Sequence, residues 1–154
     1  MRFRWGAAAV LLAACSNAPQ SPPLAALPEC SEAPPAVAEA PEGFIGPEGA
    51  VIQQITPQDP VTQVVAYVAK TPGQIRLEYD QRSDIDVLSS EDEVFEAEIL
   101  VSDGNFRTYV RATAACKRGS HLLAIVAPEA AAGAVPTPAG TPASTPVPVP
   151  VPTP

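Results

Sequence analysis

Val94-Phe95-Glu96-Ala97-Glu98-Ile99-Leu100-Val101, then Ser102-Asp103-Gly104, then Asn105-Phe106-Arg107-Thr108-Tyr109-Val110-Arg111-Ala112 is the stretch that decides the fold. Successive side chains of a strand point to opposite faces, so Phe95, Ala97, Ile99 and Val101 share one side while Glu96 and Glu98 share the other. The return run places Phe106, Thr108, Val110 and Ala112 together in the same way. Two alternating runs on either side of Asp-Gly predict a β-hairpin.

The same reading extends outward. His121 to Val126 is an apolar run suited to an inner strand, and Val51 to Ile55 suits an early one. Ile85 to Leu88 reads as an edge strand. Gln74 to Asp80 alternates without a break, which predicts a strand with Ile75, Leu77 and Tyr79 facing the core. Residues 60–70 carry two signals. Asp59-Pro60 is a good helix start, and Val61, Val64, Val65 and Val68 fall on one helical face. Five of the ten residues from Val61 to Lys70 are β-branched, however, which favours a strand. Turn signals recur every 10 to 15 residues. The expected fold is mainly β, a small Ig-like sandwich of about 6–7 strands. The alternative is an α+β domain with one helix at 60–70.

Proline sets the limits of that domain. Of 154 residues 20 are proline, eight of them between Pro19 and Pro47 and nine between Pro128 and Pro154. Ordered structure is therefore expected at 44–127, with a Pro/Ala/Glu-rich tether at 15–43 and a low-complexity tail at 128–154. In the tail, proline at every second position forbids helix and ladder pairing and favours an extended spacer. Such a tail could thread peptidoglycan, dock on an aromatic groove, or carry sugars on Thr137, Thr141, Thr145 and Thr153.

The amino terminus bears on location. Arg2 and Arg4 precede an apolar run, Gly6 to Ala14, that at nine residues is too short to span a bilayer core of about 20. A basic start, a short apolar run and small residues at its end predict a secretory signal at 1–14. Leu12-Ala13-Ala14-Cys15 resembles the lipobox of bacterial lipoproteins. That resemblance implies diacylglyceryl attachment to the Cys15 thiol and cleavage just before it. It also implies a cell-envelope location, with Ser16 rather than aspartate after the cysteine tilting toward an outer membrane. Tyr109-Val110-Arg111-Ala112 is similar to the penultimate strand of fibronectin-like domains, a likeness that covers about a dozen residues and favours a sandwich over a barrel.

If lipid consumes Cys15, Cys30 and Cys116 remain as an even pair in an oxidising compartment, and a disulfide between them is expected. Their spacing matches neither a C-x-x-C redox site nor a zinc site. The net charge of −8 argues against nucleic acid as a partner.

Catalytic motifs are absent from the sequence. The one histidine, His121, adjoins Ser120, but strand neighbours point to opposite faces and cannot act as nucleophile and base. The carboxylates between Glu78 and Glu98 read as a solvated face. Alternatively, Asp80, Asp84 and Asp86 could offer oxygens to Ca²⁺, which takes six to eight. No cofactor is expected. The expectation is thus a lipid-anchored envelope protein whose β domain is a non-catalytic binding or structural module, partnered by an envelope protein or peptidoglycan. The alternative is a Ca²⁺-dependent adhesion or carbohydrate-binding module using the acidic segment 78–98.

Overall fold

A computed structural model describes residues 24–138. The domain is mainly β. Six strands, β1 (Val51–Gln58), β2 (Val61–Val68), β3 (Asp86–Asp92), β4 (Glu96–Ser102), β5 (Phe106–Cys116) and β6 (Gly119–Pro128), form one antiparallel sheet in the order β1-β2-β6-β5-β4-β3. The layer opposite this sheet is not a second sheet. It is built from one helix, α1 (Pro72–Gln81), and from Phe44 and Ile45 of the leading segment.

The central hairpin forms as its alternation requires. Ser102 pairs with Arg107, and the register runs back to Glu96 opposite Thr113. Asp103 builds the turn. Its carboxylate accepts from the backbone N–H groups of Asn105 and Phe106, both at 2.8 Å, and its own N–H donates to Phe106 O at 3.2 Å. Gly104 sits at φ 87°, a backbone setting that favours glycine. Ala97, Ile99, Val101, Thr108, Val110 and Ala112 are all buried. β6 is an inner strand between β2 and β5, and β3 is an edge, both as read.

Residues 61–68 are strand, the preferred reading. Asp59-Pro60 is therefore the two-residue turn of the β1–β2 hairpin, with Gln58 opposite Val61, and not a helix start.

The helix lies instead where a strand was expected. Thr71 caps α1: its hydroxyl accepts from Gln74 N while the Gln74 side chain accepts from Thr71 N, and Pro72 occupies the first turn. Ile75 and Tyr79, four apart, are both fully buried, whereas Leu77 is 52% exposed. A strand would have put all three on one face, so the spacing of Ile75 and Tyr79 is helical. Tyr79 donates to Ile45 O at 2.8 Å, which ties α1 to the leading segment over the core. Burial of the Tyr79 phenol pushes its pKa well up, keeping the hydroxyl a donor.

The register sorts the other sheet face into rows. One runs Val65–Leu123–Arg111–Glu98–Glu91 and the next Tyr67–His121–Thr113–Glu96. A third begins Gln63–Ile125–Tyr109–Leu100. After β6 the chain turns back over this face as a 3-10 segment, Glu129–Ala134. Val135 then packs with Leu100, Tyr109 and Ala127. Regular structure thus continues beyond residue 127.

Candidate functional site

Three surface regions follow from this layout: a strap, a half-covered sheet face and an acidic edge.

The strap is the chain on either side of Cys30. Cys30 and Cys116 are joined by a disulfide, as expected, with Cα atoms 5.1 Å apart. Cys116 ends β5, so the bond grips the β5–β6 hairpin at its turn. Lys117 N donates to Pro28 O at 3.0 Å, and Arg118 N approaches Cys30 Sγ at 3.3 Å. Lys117 also pairs with Glu29, and its hydrogen bond holds the Glu29 carboxyl below the usual carboxylate range. Further on, Val37 N donates to Ile52 O at 3.0 Å on β1, the first edge of the sheet. The segment expected to be a plain tether is therefore fastened at several points.

Between strap and sheet lies a cleft of about 380 Å³ whose walls include Glu32, Gln53, Tyr67 and His121. Tyr67 is buried, with its hydroxyl 3.7 Å from Cys116 Sγ and its ring edge-on to His121 at 5.9 Å. Nothing in the sequence pattern singled out Tyr67, because the disulfide that positions it is remote in the chain.

Ser120 and His121 point apart, as the strand rule requires. Ser120 is buried and donates to Lys70 O at 2.8 Å, while His121 is exposed on the opposite face. Beside His121, Val65 and Leu123 are half-buried, and the described C-terminal segment packs instead on Leu100, Tyr109 and Ala127.

The three aspartates offered for calcium are not brought together: two of them are engaged by separate arginines. Asp80 pairs with Arg76 at 3.0 Å, and Asp84 takes two hydrogen bonds from Arg82, at 3.1 and 2.7 Å. The Arg82 guanidinium lowers the Asp84 carboxyl pKa. Asp86 stands on β3. Among the described residues no group of three or more His, Cys, Asp or Glu side chains is arranged to hold a metal ion.

The acidic residues gather instead at the far edge. Glu91, Asp92, Glu93, Glu96 and Glu98 line a shallow depression of about 150 Å³ across β3, β4 and their turn. Arg111 pairs with Glu96 at 2.7 Å and Arg76 with Asp92 at 3.4 Å. Tyr109 donates to Glu98 at 2.6 Å; burial and then this bond raise the phenol pKa. Among the described residues no cation lies within ion-pair distance of Asp86, Glu91 or Glu93.

Cys15, the signal at 1–14, and Thr141, Thr145 and Thr153 of the tail lie outside the described residues. No described helix is long and apolar enough to cross a membrane. No family model, no curated protein and no solved structure matches the chain.

Proposed function

We propose that the chain is a lipid-anchored cell-envelope protein, held at a membrane through Cys15, whose β domain is a non-catalytic binding or structural module. The observation that carries the anchor is Leu12-Ala13-Ala14-Cys15 directly behind a short basic and apolar leader. Each buried methylene of an acyl chain contributes about 0.8 kcal/mol, so two or three chains hold a protein stably. The Cys30–Cys116 bond suits an oxidising compartment, which an exported chain enters. Its partner is an envelope protein or peptidoglycan, met on the extracytoplasmic side and, where the organism has one, at the outer membrane. The binding reading draws support from surface that the described residues leave uncovered: the half-buried Val65 and Leu123 on the sheet face, and the outer edge of β3.

The test is metabolic labelling with a fatty-acid probe, on wild type and Cys15→Ala, followed by membrane fractionation. The expected result is label and membrane retention that both vanish in the variant. An unlabelled wild-type product, or a processed Cys15→Ala chain that stays with the membrane, overturns the anchor.

A further inference from the structure

We propose that the outer edge of β3, Asp86–Asp92, is a docking edge that takes up an extended, basic strand from a partner protein. This deepens the reading of the domain as a binding module and is independent of the anchor.

The argument begins with the two ends of the sheet. An edge strand presents a row of backbone donors and acceptors to whatever can pair with them. At β1 the strap lies alongside, with Val37 N bonded to Ile52 O and the disulfide fixing the strap nearby. At β3, among the described residues, no segment lies beyond the strand. The described residues cover one edge and leave the other open.

The open edge has a definite chemical character. Asp86, Glu91 and Asp92 lie on the strand, Glu93 follows it, and Glu96 and Glu98 lie one strand inward. Asp86, Glu91 and Glu93 have no cation partner among the described residues, so their charge is available to a newcomer. Leu88, 44% exposed, and Val94, 45% exposed, add apolar surface at the same edge. An added strand that alternates Lys or Arg with β-branched residues would pair its backbone with β3 and bring its cations over Glu91 and Glu98.

The same charges exclude a second copy of this chain. A bulge at Leu88 puts Asp86 and Glu91 on one face of β3 and Asp92 on the other, so a second β3 laid against this edge would bring acids together on both faces. Like charges brought side by side are destabilising, so the edge disfavours a copy of itself and favours a cationic strand.

The test uses the full chain in detergent and two seven-residue peptides. One alternates Lys with Thr and Val; the other replaces each Lys by Glu. Amide hydrogen exchange reads the outcome. The cationic peptide should slow exchange at residues 86–92 at least about tenfold when saturating and leave 51–58 unchanged. The anionic peptide should do nothing. Glu91→Lys with Glu93→Lys should weaken binding about tenfold or more. The milder Glu91→Gln with Glu93→Gln should weaken it less, and serves if the reversal disturbs the fold. Protection outside β3, equal binding of both peptides, no binding, or indifference to both substitutions overturns the proposal. So does self-association through β3. A negative result here leaves fatty-acid labelling of Cys15 untouched, so the two readings fail separately.

Discussion

Cutting the Cys30–Cys116 bond should cost more stability than any single contact in the domain. The bond joins residues separated by 86 positions and so closes a loop containing β1 to β5 and α1. In the chain-entropy model, closing a loop of about 86 residues removes about 15 cal/mol/K from the unfolded ensemble, or about 4.6 kcal/mol at 25 °C. For a domain of this size that corresponds to a fall in Tm of roughly 20 °C. Cys30→Ser is the cleaner variant, since Cys30 is half-exposed whereas Cys116 is buried against Tyr67. The measurement is thermal unfolding of wild type, Cys30→Ser, Cys116→Ser and the double variant, with and without reductant. Both single variants remove the same bond, so the double variant should match Cys116→Ser to within about 0.5 kcal/mol. Reductant should shift only the wild type. A loss below about 1 kcal/mol in Cys30→Ser would refute the staple. So would a double variant whose loss is the sum of the singles.

Three further outcomes follow from local geometry. Gly119→Ala would bring its Cβ to 2.2 Å from the Tyr67 hydroxyl and 2.8 Å from Cys116 Sγ, and should cost about 1–3 kcal/mol by urea unfolding. Tyr79→Phe removes the hydroxyl that donates to Ile45 O inside the core, and the same assay should read a loss of about 1–3 kcal/mol. The Asp103 carboxyl has a pKa below its ordinary value because Phe106 and Asn105 N–H groups bond its charged form. Its contribution is therefore present above the unfolded value and lost as pH falls through the folded one. The stability gap between wild type and Asp103→Ala should be full at pH 7, narrow below about pH 4, and close with further acid.

The parts of the fold legible in the sequence are those where one periodicity excludes the other. Glu96 to Val101 and Phe106 to Ala112 alternate over enough residues that a helix would scatter their apolar side chains around its circumference. β6 was legible as an inner strand because apolar residues fall on both its faces. Gln74 to Asp80 reads as a strand although it is helical because Ile75 and Tyr79 satisfy both periods at once: they are two steps apart in alternation and also one helical turn apart. Only Leu77 distinguishes them, and its exposure decides for helix. The local sign of the helix is Thr71-Pro72 with Gln74, a capping box. Strand faces could be read, but whether the strands close into one sheet or two could not, because alternation assigns sides and not neighbours. The disulfide was legible from cysteine parity. The fastening of Pro28, Glu29 and Val37 was not, since a stretch without periodicity gives no hint of the carbonyls and cations that hold it.

The strap and the open edge acquire a common meaning when the proposed anchor is placed with them. Fifteen residues separate Cys15 from Cys30. Fully extended they span at most about 50 Å, which caps the height of the point where the disulfide grips the β5–β6 turn. Without the disulfide, only the contacts of Pro28 and Glu29 with Lys117 would hold the strap ahead of the bond from Val37 to β1, seven residues and about 25 Å of reach beyond Cys30. The strap thus shortens the tether and covers β1 with one device. β3 lies five strands from β1, and at about 4.8 Å per strand that is roughly 24 Å across the sheet. The β1 edge is occupied by the strap at Val37, and the opposite edge carries Asp86, Glu91 and Glu93. If residues 1–14 are removed, as the proposed anchor requires, the chain carries 17 acids against 7 bases, and an anionic membrane surface would repel the acidic edge in particular. A cationic strand from the extracytoplasmic side would meet β3 with nothing of this domain in its path.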